Sequence, residues 1–515
     1  MAEEIEMKFE LAPDALSKLE ATPWFQRLER SAEREELVSV YFDTPKFELR
    51  DGRFSLRVRH EGDKRSQTIK TEAIGPFSRR EWETAIEDDS PDLERARQTA
   101  LKPLATSKLW KKLEPVFETE VQRTTIPLEA NGSRIEMAID RGFVRSGGRA
   151  QPINEIELEL RSGTTEALVE LARTLAEVAP VRYAVRSKAE RGYALAAKEP
   201  TRAVRAEPIE LPEGVATGEA IQIIVLSCLR QLVLNEDGVR SRDPEAIHQM
   251  RVALRRLRAA LSLFKSVLED PETDELKGEL KSLTDQLGPA RDYDVFVDEL
   301  VSPAEQATPA DADLEELGAV IRERRAEGFE DAARAVDNER TRQTILATAL
   351  WIVQGQWTTT TDPLRRAQRA RPAAAFARDV FAERTKKAKK KLRKLRSLDA
   401  ARRHKLRIAV KKLHYATEFF RTSFPEAETE RMAYERTLKK VQDCLGRLND
   451  VVVHERLASA IKKGSPTRSG RVPGAPAAFA MGRLTARESE GVESLVEAAT
   501  DAGARLRKTP RFWKT

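Results

Sequence analysis

The sequence predicts an α+β multidomain protein, an antiparallel β domain followed by an all-α domain of two tandem four-helix bundles. Three observations predict it. Up to about residue 200 the chain repeatedly alternates apolar and charged residues with a period of two, as half-buried strands do. Beyond residue 217 apolar residues recur at helical spacing and alternation stops. A basic helix at His248 returns 156 positions later at His404, the mark of an internal repeat.

The first strand, Glu4-Ile5-Glu6-Met7-Lys8-Phe9-Glu10-Leu11, puts Glu4, Glu6, Lys8 and Glu10 on one face and apolar residues on the other. Residues 13–28 read as a covering helical segment, and residues 37–45 as a strand stopped by Pro45. Residues 55–59 carry Arg57 and Arg59 on one face, residues 67–71 carry Lys70, and residues 79–83 alternate again. Residues 133–141 align Arg134, Glu136 and Asp140, and residues 154–160 align Glu155, Glu157 and Glu159. Acids thus gather in the first and last strands, bases in the middle. Alternate carboxylates about 7 Å apart suit hard divalent cations, and guanidinium groups suit phosphate oxygens. A closed barrel with its charged faces inward would collect both sets; solvated faces would not.

Several motifs in series carry a resemblance: Glu4-Ile5-Glu6-Met7-Lys8, Tyr41-Phe42-Asp43-Thr44-Pro45, Leu56-Arg57-Val58-Arg59, Thr68-Ile69-Lys70-Thr71, Arg79 with Glu81 and Glu83, Asp140-Arg141-Gly142, Glu155-Ile156-Glu157-Leu158-Glu159 and Ser187-Lys188-Ala189-Glu190-Arg191-Gly192. Together they resemble the CYTH family, the triphosphate tunnel metalloenzymes. The resemblance implies an eight-stranded tunnel that hydrolyses a triphosphate with Mg²⁺, or Mn²⁺ in its place. Carried over, Lys8, Arg57, Arg59, Lys70, Arg79, Arg123 and Lys188 would bind phosphate, and Glu4, Glu6, Asp140, Glu155, Glu157 and Glu159 would bind metal. Glu4, Glu6, Lys8 and Lys70 would be catalytic, with Glu81 and Glu83 orienting neighbouring bases. No base- or thiamine-recognising pocket is legible, so inorganic triphosphate is the expected substrate.

Residues 201–216 are rich in proline and glycine and read as a linker between a domain at 1–200 and one at 217–513, its repeats at about 217–365 and 370–513. His248, Arg251, Arg255 and Arg258 share a helix face, answered in the second repeat by His404, Arg407, Lys411 and Lys412. Residues 384–412 hold 15 Lys or Arg against one acid, a field that attracts polyanions. The two histidine-plus-basic helices, with Leu287-Gly288 and Leu445-Gly446 elements, resemble the CHAD domain. That resemblance implies inorganic polyphosphate as a ligand of those eight side chains. His414 and His454 have no counterparts in the first repeat.

The chain has 515 residues, a net charge of +6 and only two cysteines. That excludes a disulfide framework and a cysteine-ligated metal. The acidic start lacks a signal-peptide pattern, and the longest apolar run, residues 220–229, is half of the roughly 20 residues needed to span a membrane. A cytoplasmic protein without membrane partners is expected. Few aromatics interleave with the bases, which argues against nucleic acid as partner. The alternatives to an enzyme are a polyphosphate- or RNA-binding scaffold with an idle tunnel, or an adenylate cyclase or other organic triphosphate hydrolase.

Overall fold

The computed structural model describes residues 3–71, 78–198 and 202–514, and of these the side chains of Glu3, Glu4, Ser78 and Arg79 lie outside the description. The chain divides into two compact units, Met1–Arg202 with Ile345–Gly355, and Ala203–Thr344 with Gln356–Thr515.

The first unit is built on strands β1 (Glu3–Glu10), β2 (Glu33–Asp43), β3 (Phe54–Glu61), β4 (Lys64–Thr71), β5 (Ser78–Ala85), β6 (Glu114–Ala130), β7 (Ser133–Ser146), β8 (Arg149–Ser162) and β9 (Arg182–Tyr183). They run β5-β4-β3-β2-β6-β7-β8-β1, and β1 also pairs with β5 at Glu4 and Arg79, so eight antiparallel strands close on themselves. The two-residue β9 adds a ninth strand beside Phe9 and Glu10. The expected eight-stranded barrel is therefore present with one short addition.

Closure decides which face points inward. Arg59 of β3 lies beside Arg123 of β6, two strands away, so both occupy the lumen. The opposite face, with Met7, Phe9, Leu56, Val58, Ile69, Met137, Ile156 and Leu158, is fully buried from outside. Helices α1 (Pro13–Glu20) and α2 (Pro23–Leu28) fall within the anticipated covering segment. A second cover was not anticipated: with the intervening loop, α4 (Leu93–Ala96) and α5 (Ser107–Trp110), which follow the short α3 (Glu48–Asp51), lay Leu101, Ala105 and Leu109 over Leu56, Val58 and Ile69. Helix α6 (Thr165–Val178) packs on β8.

One end of the barrel is closed by α7 (Lys188–Ala196), begun by a capping box in which Ser187 and Glu190 satisfy each other's backbone N–H groups. Tyr193 of α7 packs edge-on against Phe117, which stacks on Tyr41 at 4.4 Å. The Tyr193 hydroxyl donates to Asp43, whose carboxylate also accepts from the N–H groups of Leu49 and Arg50 in α3. The Asp43-Thr44-Pro45 motif is thus a structural latch under the plug helix. Leu37, Val121, Val144 and Ile153 complete an apolar stopper.

The second unit is all helical. Its first repeat holds α8 (Thr217–Leu234), α9 (Glu236–Arg240), α10 (Pro244–Leu263), α11 (Lys265–Leu268), α12 (Pro271–Gln286), α13 (Gly288–Phe296), α14 (Ser302–Ala307) and α15 (Ala312–Asp337). After α16 (Glu339–Gln354), whose residues from Ile345 on are grouped with the first unit, α17 (Gln356–Thr359) and α18 (Pro363–Ala370) come α19 (Ala373–Leu392), α20 (Ala400–Phe419), α21 (Glu428–Lys462), α22 (Ala475–Glu490) and α23 (Val492–Lys508). The repeats share a core: Phe296, Leu317 and Ile321 of the first pack with Leu457, Ile461 and Met481 of the second. Helices α10 and α20 correspond, each capped by an aspartate, Asp243 or Asp399. They meet face to face through Arg256, fully buried, whose guanidinium donates to Glu418 and Gln231 at 2.7 Å. The stretch Thr217–Arg240 is long and apolar enough to cross a membrane, yet most of it is buried, as in a core helix.

Two glycines give a stability prediction. A Cβ on Gly192 of α7 would stand 2.1 Å from the Phe117 ring, so Gly192→Ala forces the plug away from the barrel. It should cost about 1–3 kcal/mol. Gly278, inside α12, has open space around it, so Gly278→Ala should gain about 0.5–1 kcal/mol. Calorimetric melting of the full chain checks both, and equal effects would contradict the plug's tight seat.

Candidate functional site

Strand register assembles the lumen. Lys8 on β1 faces Glu157 on β8, and Asp140 on β7 faces both Glu155 on β8 and Arg123 on β6. On the other wall Arg57 faces Thr68, and Lys70 faces Glu81. From α7, Lys188 reaches between the strands to Asp140, Glu155 and Glu157 at 2.7, 2.8 and 2.9 Å.

Asp140, Glu155 and Glu157 each bring one oxygen within 4.8 Å of the others, a spacing a metal ion can bridge. Their all-oxygen chemistry suits a hard divalent cation. In this structure protein cations hold them: Lys188 all three, Arg123 both Asp140 oxygens and Glu157, Lys8 Glu157, and Arg191 Glu155. Burial alone would raise the Glu157 carboxyl, yet Lys188, Lys8 and Arg123 hold it well below its ordinary value. Burial alone would lower Lys188, and Asp140, Glu155 and Glu157 instead drive it well above. Lys8 is likewise raised against burial by Glu157 and Glu6.

The expected metal set therefore divides. Glu159 does not join Glu155 and Glu157; it stands in register with Glu6 and Glu136, a row on three adjacent strands, and both Glu159 and Glu136 pair with Arg161. Cross-strand register, which residue spacing does not encode, gives Glu159 other neighbours than Glu155 and Glu157 have. Glu4 and Arg79 are placed only by their backbone pairing, and their side chains lie outside the described residues.

The basic wall has a different balance. Glu81 pairs with Lys70 at 2.7 Å and Arg57 at 3.6 Å, and Glu83 accepts from Thr68. Arg59 bonds only Ser39, at 3.3 Å, and no carboxylate among the described residues pairs with it. Burial, with Arg57 and Arg123 alongside, pushes its guanidinium down to about 10. A half-buried arginine between two others is arranged to receive an anion.

In the helical unit the eight anticipated side chains fall into separate groups. Lys411 is half-buried and depressed to about 7 by desolvation, Arg255 and Arg407, with Asp450 in partial compensation. His248 is lowered to about 4 by burial, Arg291 and Arg255. Arg251, lowered to about 10 by burial and these same neighbours, donates to the Thr284 carbonyl at 3.1 Å. The Nε atoms of Arg251, Arg255 and Arg407 are buried without hydrogen-bond partners. Lys412 and Arg258 stand apart with Arg384, Lys412 donating to Ser262 at 2.7 Å. His404 bonds Asn449 at 2.8 Å. His454, which has no counterpart in the first repeat, is fully buried against Phe296 and paired with Glu488.

Sequence reasoning gave no individual site role to Glu136, Arg191, Arg291 or Arg384. Arg191 sat inside the quoted Ser187-to-Gly192 motif and Arg291 three residues after the Leu287-Gly288 element, which was the available signal.

Residues 2–193 match the CYTH domain, and residues 223–459 match the CHAD domain. An inorganic triphosphatase of Haemophilus influenzae is 33% identical over 208 residues, 39% of this chain and 56% of that protein. An uncharacterized protein of Mycobacterium tuberculosis is 28% identical over 315 residues, 57% of this chain and 58% of its own length. The chain thus spans little more than half of these curated relatives. The crystal structure of the CHAD domain from the plant Ricinus communis is 29% identical and covers 58% of this chain and 97% of its own, with a TM-score of 0.48. With its charged eight-stranded barrel and its repeated basic helices, the chain belongs to the proteins that join an N-terminal CYTH domain to a CHAD domain.

Proposed function

We propose that the barrel, residues 1–200, hydrolyses inorganic triphosphate with Mg²⁺, for which Mn²⁺ can substitute, and that the helical residues 217–513 bind inorganic polyphosphate. The observation that carries this reading is Arg59, a half-buried cation between Arg57 and Arg123 that has no carboxylate partner among the described residues and faces an acidic wall. The Haemophilus influenzae relative, an inorganic triphosphatase matching 39% of the chain, supports the substrate.

Glu4, Glu6, Asp140, Glu155, Glu157 and Glu159 would hold the divalent ions. When bound, these supply polarisation of the phosphoryl oxygens and a positioned water. The side chains of the protein do the rest. Arg57, Arg59, Lys70 and Arg79 orient the triphosphate along the basic wall, and Glu81 keeps Lys70 and Arg57 in place. Lys8, Arg123 and Lys188, held by carboxylates in this structure, would bind phosphate oxygens where those carboxylates held divalent ions. The α7 stopper excludes water from the closed end. Catalysis is then mainly positioning and charge stabilisation.

In the helical unit Arg251, Arg255, Arg407 and Lys411, with His248, receive phosphates between α10 and α20, and Arg258, His404 and Lys412 extend the path. The protein works in the cytoplasm, without nucleic-acid or membrane partners. A second reading, a non-catalytic polyphosphate scaffold, is favoured by one observation: protein cations already neutralise Asp140, Glu155 and Glu157.

Phosphate release from triphosphate, ATP and long polyphosphate, with Mg²⁺, Mn²⁺ or chelator, separates the two readings. Triphosphate should be cut fastest and only with metal, and Glu6→Ala should abolish release. Arg59→Ala should lower kcat/KM about 10²–10³-fold. Absent turnover beside firm polyphosphate binding would establish the scaffold, and turnover that persists in chelator would overturn the metal-dependent reading.

Polyphosphate binding should also depend on pH. The Lys411 ammonium, depressed to about 7 when alone, rises once phosphate offsets its arginine neighbours. Binding then takes up a proton above pH 7, and affinity should fall by up to about tenfold per pH unit as pH rises from there. Titration calorimetry across pH 6–9, at constant ionic strength, should give a flat profile for Lys411→Arg; an equally steep one would remove Lys411 from the site.

A further inference from the structure

The basic face of α10 runs on past the seam it makes with α20. Arg251, Arg255, Arg258 and Ser262 recur at i, i+4, i+7 and i+11, so they share one face of the helix over about 16 Å. At the far end of that face three helices meet on Ser262. Its hydroxyl accepts from Lys412 of α20 at 2.7 Å. Its carbonyl, one of the last four of α10 and so without a partner inside the helix, accepts from Arg384 of α19 at 2.6 Å. Arg258 stands one turn before Ser262 on the same face.

The charges gathered there are unmatched. Arg258, Arg384 and Lys412 are half-buried, and no carboxylate among the described residues pairs with any of them. Arg258 makes no hydrogen bond among the described residues, while Arg384 and Lys412 are held only by the two neutral oxygens of Ser262. Burial, with Arg384 and Arg258 alongside, lowers Lys412. The one acid that acts on Arg384, Glu383, is itself engaged by Lys387. Nor does the following chain offer relief, since residues 384–398 hold nine Lys or Arg and no acid. An ammonium has three N–H donors and a guanidinium five, and Ser262 uses one of each. Ser262 thus fixes the two cations in place and leaves most of their donors for the oxygens of an anion.

We infer that Arg258, Arg384 and Lys412, set by Ser262, form a second phosphate subsite beside the seam of Arg251, Arg255, Arg407 and Lys411, and that only a condensed phosphate long enough to lie along α10 engages both. This deepens the polyphosphate reading and rests on the seam being a phosphate site. A triphosphate is shorter than the shared face and occupies one group of cations at a time. A long chain crosses both, and its second contact is made within one bound molecule, which multiplies its affinity. The helical unit thereby selects long chains and leaves triphosphate to the barrel.

The test is titration calorimetry on the full chain, without divalent metal and over a series of salt concentrations, with inorganic triphosphate and long-chain polyphosphate as probes. Arg59→Ala is present throughout to weaken binding by the barrel. The variants are Arg384→Gln, Arg384→Lys and Arg258→Gln, the last of which breaks no hydrogen bond of the fold. The parent should bind the long chain more tightly than triphosphate. Arg384→Gln and Arg258→Gln should each weaken the long chain about tenfold and lower the slope of log affinity against log salt by about one, narrowing the preference over triphosphate. Arg384→Lys should keep the slope of the parent. Unchanged affinity and slope in both Gln variants, or an equal loss for the two probes, would overturn the second subsite and leave the seam standing. A parent that does not bind the long chain would overturn the polyphosphate reading and the subsite with it.

Discussion

A charge inside a barrel must find a partner or receive one from solution. Taking a carboxylate or ammonium out of water costs several kcal/mol, and only close opposite charge offsets it. The lumen of the first unit obeys this constraint on its acidic wall, where Asp140, Glu155 and Glu157 are matched by Lys188, Arg123, Lys8 and Arg191. Closure of the eight strands, the capping box that starts α7 and the stopper that seats it all serve to deliver Lys188 and Arg191 to that place. Where the match fails, at Arg59, the protein is poised for an anion.

The helical unit meets the same constraint with the opposite outcome. Arg256, fully buried, is answered by Glu418 and Gln231 and welds α10 to α20. Around it Arg251, Arg255, Arg407 and Lys411 gather with too few acids, chiefly Asp292 and Asp450. The weld forces the two repeats' basic faces together. Each helix alone would spread its charges into water; pressed together, they share a desolvated seam that a polyanion can neutralise.

Much of this was legible in the sequence. Period-two alternation located β1, β3, β4, β7 and β8, and the order of acids and bases along them identified which residues would share a face. The internal repeat located α10 and α20. The cover formed by residues 93–110 was not legible, because short helices joined by loops leave no sustained period. Nor was the tight seat of Gly192 on Phe117, since a glycine in a helical pattern carries no sign of what lies beyond it.

The sequence by itself determined the class of each residue's chemistry and the face of the strand or helix it would occupy, because side-chain direction follows from backbone period. Tertiary structure alone decided the pairings. Strand register set Glu159 beside Glu6 and Glu136 and Glu157 beside Lys8. Insertion of α7 put Lys188 among three carboxylates, and packing of α10 on α20 separated Lys412 and Arg258 from Lys411 and Arg255. Such choices turn on distances of a few ångströms between elements remote in the chain, and Coulomb energy in a desolvated site depends on those distances, which residue spacing does not encode.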